Sequence, residues 1–323
     1  MLKIGVVGVG HLGKHHARIF SELENCQLVG IYDKIPERAK EIATQYGVLS
    51  FKSYEEMLSV VDAVDVAATT TYHFDLAKPA LEKGCHVFLE KPITSTEKQA
   101  EELINIAAEK KLKIQVGHIE RFNPVIMQTA SEINNPMFIE SHRLAPFTPR
   151  GSDVPVVLDL MIHDIDLIMS FIPYEIKEIR ASGVGILTPS IDIANARLEF
   201  ENGAIANVTA SRISMKRERK IRFFQKDAYI SVDFQNKKVF LLKKSPKLMS
   251  ILPQILSGDT NFSVEDMVDM QEITAQDSGK DALTMELESF VDSILKDKRP
   301  IVDGADGKRA LEVALKIMDI INR

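Results

Sequence analysis

The amino-acid sequence predicts two domains of different class: an α/β domain built on a doubly wound parallel sheet, then an α+β domain with an open, mainly antiparallel sheet. Three observations carry this. Apolar runs at 2–7, 27–32, 64–68, 86–89 and 113–116 alternate with helical stretches, the pattern of parallel βαβ units joined by right-handed crossovers. After Arg121 strand-like runs follow one another instead, at 176–185, 194–200, 204–211, 221–225, 229–232 and 238–242. Several are bounded by turn residues, Asn202-Gly203 being the firmest hairpin signal. A chain of 323 residues is also too long for one ordinary core, and 45% apolar residues suffice for two. The division is expected as 1–121 and 122–323, with a C-terminal helix over 307–322 packing back on the first domain.

The helices follow from periodicity and caps. Residues 96–110 carry Ala100, Leu103, Ile104, Ala107 and Ala108 as one apolar stripe. Thr94 with Glu97 or Thr96 with Gln99 can form a capping box at its start. Beyond Arg121 the sequence predicts a helix over 124–133, a strand over 137–142 and an apolar helix over 158–171. Residues 249–279 are polar and irregular, and read as a mobile loop or a partner-covered segment. Helices return over 282–295 and 307–322.

Composition excludes several function classes. The longest apolar stretch, 154–172, is interrupted by Asp159, His163, Asp164 and Asp166, so it is no ordinary membrane span. The N-terminus shows no secretory pattern, and a cytoplasmic protein is expected. Cys26 and Cys85 have no metal spacing and lie in apolar patterns, which suits buried reduced thiols. A net charge of −6 and a pI near 5.8 argue against a nucleic-acid partner.

The first chemical signal is Ile4 to Gly13, IGVVGVGHLG, in which Gly8, Gly10 and Gly13 keep the spacing G-x-G-x-x-G behind an apolar run. A strand entering a tight glycine turn, with a helix directly behind, exposes N–H groups and a positive helix end to a pyrophosphate. The second apolar run ends in Asp33, twenty positions after Gly13, where a carboxylate accepts hydrogen bonds from an adenosine ribose. Asp33 therefore favours NAD over NADP, although Lys34 and Arg38 are cations within the same turn.

Glu90-Lys91-Pro92 follows the strand 86–89, which puts Lys91 at the carboxyl end of a parallel strand, where open α/β sheets bind ligands. Pro92 stiffens that turn. A surface lysine opening an ordinary loop is the plain alternative. In the helix 158–171, Asp159, His163 and Asp166 fall at i, i+4 and i+7, a polar stripe on an apolar cylinder. A satisfied structural network, a metal site and acid–base catalysis are all open for it; catalysis is favoured because an imidazole oriented by a carboxylate moves protons near neutral pH. His15 and His16 read as helix-surface residues. The cationic run Lys216 to Arg222 reads as a solvated strand face.

Taken together, Gly8-x-Gly10-x-x-Gly13, Asp33, His73, Glu90-Lys91-Pro92, Arg121-Phe122-Asn123-Pro124 and Asp159-x-x-x-His163-x-x-Asp166 resemble the glucose–fructose oxidoreductase and inositol dehydrogenase family, Gfo/Idh/MocA. The resemblance covers nearly the whole chain. It implies a Rossmann domain, an open-sheet domain and hydride transfer between a pyridine nucleotide and a sugar or cyclitol. Lys91, Asp159 and His163 are the implied catalytic group. The implied cofactor contacts are Gly8, Gly10, His11, Leu12 and Gly13, then Asp33, Thr69, Thr70, His73, Glu90 and Lys91. Thr69, Thr70 and Met161 depart from the residues common in the family. His118 and Glu120, the segment from His142 to Gly151 and the helix from Asp159 to Asp166 resemble its UDP-N-acetylglucosamine 3-dehydrogenase subgroup. On that resemblance His118, Glu120, Arg121, Arg143, Arg150, Asp159 and His163 are expected to meet substrate. No metal is expected.

The expected reaction is oxidation of the sugar C3 hydroxyl by NAD. The alternatives are a free-sugar or inositol dehydrogenase, and a non-catalytic NAD-sensing regulator, against which Lys91, Asp159 and His163 count. An antiparallel sheet with one uncovered face must find water or a partner, so a homodimer or homotetramer is expected.

Overall fold

The computed structural model describes residues 1–148, 154–257, 263–275 and 279–323. The chain forms two compact units, Met1–Phe122 with Gly279–Val313, and Asn123–Ser278 with Ala314–Arg323. The first begins with β1 (Leu2–Val7), α1 (Gly13–Glu22), β2 (Cys26–Tyr32), α2 (Pro36–Tyr46), β3 (Leu49–Ser50) and α3 (Tyr54–Leu58). It continues with β4 (Ala63–Val66), α4 (His73–Glu82), β5 (His86–Glu90), α5 (Glu97–Lys110) and β6 (Ile114–Gly117). The sheet order is β3-β2-β1-β4-β5-β6, every neighbour parallel. Two-residue β3 is too short to leave a pattern in the sequence. The chain first winds outward from β1 through β2 and β3, then restarts on its other side with β4. The carboxyl ends of β1 and β4 are therefore the switch point where ligands of such sheets bind. Of the two candidate caps for α5, Thr96 is used: its hydroxyl accepts the Gln99 N–H at 3.3 Å, while the Thr94 hydroxyl donates to the Thr96 carbonyl.

The second unit contains α6 (Pro124–Thr129), β7 (Phe138–Leu144), α7 (Ile162–Phe171), β8 (Ile176–Val184), β9 (Ile193–Phe200), β10 (Ile205–Ser211) and β11 (Glu218–Phe224). After these come β12 (Ala228–Asp233), β13 (Lys238–Lys244), α8 (Leu248–Leu256), α9 (Val264–Met267) and β14 (Val268–Thr274). Its eight strands run β14-β13-β12-β11-β7-β10-β9-β8, antiparallel except for the β7–β10 pair. The stretch read from sequence as irregular thus holds two helices and an edge strand among its described residues. Strand β14 is exposed along most of its length and lacks the alternation of a half-buried strand; its register on β13 is set by backbone pairing, with the Lys238–Glu272 ion pair across the two strands. Helix α6 is shorter than expected, its last residues tightening into a 3₁₀ turn over Ala130–Glu132. Asp192 is buried before β9, where it accepts the N–H groups of Ile186, Leu187 and Thr188 at 2.8, 2.7 and 3.0 Å.

Two late helices follow, α10 (Ala282–Leu295) and α11 (Gly304–Ile321). The Asp281 side chain caps α10 by accepting the Thr284 N–H at 2.8 Å. Leu287, Phe290 and Val291 join Phe20, Ile31 and Phe88 in one buried cluster of the first unit, with the Phe88 and Phe290 rings edge to face at 5.8 Å. Cys26 and Cys85 are buried and free. Burial pushes both thiols up to about 11, which makes them poor nucleophiles.

Candidate active site

The candidate cofactor site of the first unit is built on the glycine turn after β1. Gly8 has φ +85, and a side chain there would meet the backbone of Ala68, after β4, at 2.8 Å. A Cβ on Gly13 would lie 2.1 Å from the Gly8 carbonyl oxygen, so only glycine lets α1 start this close to the strand. At Gly10 the nearest atom to a Cβ is the tip of Arg38 at 4.0 Å; the backbone there faces open space. This cradle fits a dinucleotide pyrophosphate. His11 and Leu12 are exposed on its rim. Asp33, nearly buried after β2, accepts the Ile35 N–H at 2.9 Å on one oxygen; the other lies 3.8 Å from the Arg38 guanidinium. Lys34 reaches instead toward Tyr72, 3.4 Å from its hydroxyl and over its ring.

Thr69 is exposed and Thr70 half-buried at the turn into α4. His73, expected at the cofactor, is buried. It has no exposed surface, and its ring nitrogens lie 2.9 Å from the Pro92 carbonyl and 3.0 Å from the Ala68 carbonyl. The ring packs between the turn after β4 and the turn after β5. Burial holds it below the ordinary imidazole range against the opposing pull of the two carbonyls. Glu90 and Lys91 stand at the carboxyl end of β5, both half-buried. One Glu90 oxygen accepts the Lys91 N–H at 3.2 Å, and the other lies 3.3 Å from His16 Nε2.

His16 is a correction. Far from being a surface residue, it is fully buried, with Nδ1 at 3.0 and 3.1 Å from the Asp65 carboxylate on β4. Burial alone would lower its pKa, but Asp65 and then Glu90 more than reverse that, and the ring is held well above its usual value. Glu90 is correspondingly lowered by His16 and Lys91 against its own burial. Neither His16 nor Asp65 entered the expected site. The signal was present: Gly13, His16, Ala17 and Phe20 are the buried face of α1 at i, i+3, i+4 and i+7.

In the second unit the expected single helix over 158–171 begins as a π-helical turn, Val157–Met161, and becomes α-helical at Ile162. Such turns concentrate at functional positions because they re-aim side chains. Asp159 lies in that turn and His163 just beyond it, both half-buried, while Asp164 and Asp166 are buried. Arg143, expected to meet substrate, is buried, with Nε and Nη2 each 2.8 Å from an Asp164 oxygen. That pair takes two of its three nitrogens. His118 and Glu120, expected at the substrate, are also buried, beside the half-buried Arg121 in a 3₁₀ turn over Ile119–Phe122. A side chain with almost no accessible surface offers a ligand little to touch. Arg150 lies outside the described residues.

A glycine cradle at the switch point of a parallel sheet, with an acidic residue after β2 and a lysine after β5, defines a Rossmann-fold dinucleotide enzyme. The chain belongs to the Gfo/Idh/MocA oxidoreductase family: residues 2–118 match its NAD-binding Rossmann fold and residues 134–231 its C-terminal domain. It is 35% identical over 317 residues to the UDP-N-acetylglucosamine 3-dehydrogenase of Acidithiobacillus ferrooxidans, covering 98% of this chain and 96% of that protein. A crystal structure of that enzyme superposes with a TM-score of 0.89, covering 99% of this chain and 97% of the other. The scyllo-inositol 2-dehydrogenase (NAD(+)) of Bacillus subtilis is 24% identical, over 97% of this chain and 92% of its own. The structure of scyllo-inositol dehydrogenase from Lactobacillus casei shares the fold at TM-score 0.78 and 22% identity, over 100% of this chain and 97% of the other.

Proposed function

We propose that this oxidoreductase uses NAD to oxidise the C3 hydroxyl of UDP-N-acetylglucosamine to a 3-keto sugar nucleotide. The observation that carries the substrate is the near full-length similarity to the Acidithiobacillus enzyme at 35% identity; the inositol dehydrogenases match at lower identity. For NAD over NADP the support is Asp33, whose carboxylate would hydrogen-bond ribose hydroxyls and repel a 2′-phosphate. Lys34 is drawn toward Tyr72, while Arg38 remains the competing cation.

Bound NAD supplies the hydride acceptor. His163 takes the hydroxyl proton, Asp159 orients its imidazole, and Lys91 stabilises the developing alkoxide; the Lys91 and His163 roles are interchangeable in this scheme. The glycine turn presents backbone N–H groups to the pyrophosphate. Arg121 and Arg150 remain the cations assigned to substrate.

We further propose a homodimer or homotetramer built through the open face of the eight-stranded sheet. One cross-strand row on that face reads Ile205, Phe138, Phe224, Tyr229, Leu242 and Met270. All six are partly or well exposed, and successive rings of Phe138, Phe224 and Tyr229 lie 5.4 and 4.9 Å apart. Among the described residues no helix is long and apolar enough to cross a membrane. The cofactor and the free cysteines support a cytoplasmic setting.

The test is a panel of UDP-N-acetylglucosamine, free sugars and inositols with NAD or NADP, including a ketone trap or coupled aminotransferase because the oxidation is uphill near neutral pH. A keto sugar nucleotide should form with NAD. Lys91→Ala and His163→Ala should each lower turnover by roughly 10²- to 10⁴-fold while NAD still binds. Reduction of NAD by an inositol alone would replace the substrate, and tighter NADP binding would replace the cofactor. Binding of NAD with no turnover of any alcohol would favour a sensor.

A further inference from the structure

Residues on both sides of Lys91 are held by buried histidines from two different helices. On one side, His16 of α1 lies between the Asp65 carboxylate at 3.0 Å and Glu90 at 3.3 Å, and Glu90 turns its other oxygen back onto the Lys91 N–H at 3.2 Å. On the other side, His73 at the start of α4 has one ring nitrogen 2.9 Å from the Pro92 carbonyl and the other 3.0 Å from the Ala68 carbonyl; the neutral ring donates its single N–H to one of them and packs against the other. Neither ring has exposed surface. Both ends of this arrangement lead back to the glycine turn. Ala68 is the residue whose backbone a Gly8 side chain would strike, and His16 sits one helical turn after Gly13.

We propose that His16 and His73 are paired positioning residues that fix the Glu90-Lys91-Pro92 turn from both sides and tie it to the glycine turn. The inference rests on the reading of Lys91 as the group at the reacting oxygen. A lysine side chain has four rotatable bonds, and an ammonium that must meet one oxygen gains most from a backbone that does not move. Glu90 is anchored by charge because its partner ring is flanked by two carboxylates, which raise the imidazole pKa against the cost of burial. Pro92 has no N–H to anchor the turn, so the hold on that residue is through its carbonyl. The groups facing His16 are Asp65 of β4, Glu90 of β5 and the edge-on ring of Phe88, 5.7 Å away.

The test uses the full chain with His16→Gln, His73→Gln and Lys91→Ala, singly and in pairs, with Glu90→Gln in reserve should His16→Gln fail to fold. Hydrogen exchange at the Lys91 amide is the first readout, with the β6 amides as reference. Each histidine substitution should accelerate exchange over residues 90–94 by about tenfold or more while β6 is unchanged. Turnover is the second readout. Each substitution should lower kcat by up to about 10²-fold with little change in the cofactor KM, and should have no further effect in the Lys91→Ala background.

Unchanged Lys91 exchange, uniform acceleration across the unit, or equal losses of turnover in both backgrounds would overturn the proposal. If Lys91→Ala turns over normally, the reading of Lys91 fails, and with it the proposed purpose of the hold. If no alcohol is turned over by the wild type, exchange alone decides whether the two rings hold the turn.

Discussion

The two units put buried ion pairs to different uses. In the first, the buried ionic centre is a cation, His16, between the carboxylates of Asp65 and Glu90, directly behind the strand ends that form the cofactor cradle. In the second, the anions Asp164 and Asp192 lie buried with the guanidinium groups of Arg143 and Arg212 beside them. Arg143 meets Asp164 with two 2.8 Å bonds, and three consecutive N–H groups meet Asp192. The contrast separates two uses of buried polarity. One braces a turn that carries a reactive side chain; the other locks helix to sheet and closes a loop.

The largest expected effect tests the second use. Asp164→Asn should leave the Arg143 guanidinium buried without its counter-charge and cost about 3–5 kcal/mol, read by urea unfolding. A loss below 1 kcal/mol would mean that water reaches Arg143, and would return it to the candidates for substrate.

Next comes a difference in sign with pH. Asp192 is held at about 2 by the N–H groups and the Thr188 hydroxyl, against the cost of its burial. Its folded pKa lies below the unfolded value, so its contribution is present above pH ~4 and disappears as pH falls through about 2. Asp192→Asn should therefore cost on the order of 2 kcal/mol at neutral pH and little in strong acid. His16 is raised, so its contribution is complete below pH ~6.5 and is lost as pH rises through its folded value. The stability gap between wild type and His16→Gln should narrow on the alkaline side, where the gap for Asp192→Asn stays constant. Thermal melts at several pH values check both, and parallel profiles would erase the contrast.

A smaller effect separates cradle from scaffold. Gly13→Ala places a methyl 2.1 Å from the Gly8 carbonyl, which should open the turn and weaken NAD binding by about tenfold or more, or ~1.4 kcal/mol. Gly203→Ala, in the β9–β10 hairpin with nothing within 4 Å of its Cβ but φ +82, should cost only a modest amount of stability and leave NAD binding alone. Calorimetric titration distinguishes them. The smallest change in monomer stability should come from Phe224→Glu, on the open sheet face. Its expected consequence is dissociation into monomers, seen by light scattering; an unchanged mass would move the subunit contact elsewhere.

How much of this was legible depends on the range over which each feature is encoded. The Gly8–Gly13 turn, Asp33 and Glu90-Lys91-Pro92 are local strings whose chemistry is fixed by spacing, and the parallel strands around them are buried runs with short connections. Strand β14 was missed because an edge strand exposed on both faces carries no alternation. Likewise, the end of the 158–171 helix at which Asp159 sits was read as α-helix, since a π turn has no signature in residue type.

By itself, then, the sequence determined two domain classes, a dinucleotide cradle and a lysine at a strand end, because each arises from neighbours within a few residues. Tertiary structure alone decided which polar residues are partners: His16 with Asp65 and Glu90, His73 with two carbonyls, Arg143 with Asp164. It also decided that α10 completes the first core through Leu287, Phe290 and Val291. The physical reason is common to all of these. A buried charge or ring survives only where the fold brings a complementary group from a distant segment, and sequence spacing does not record which segment that is.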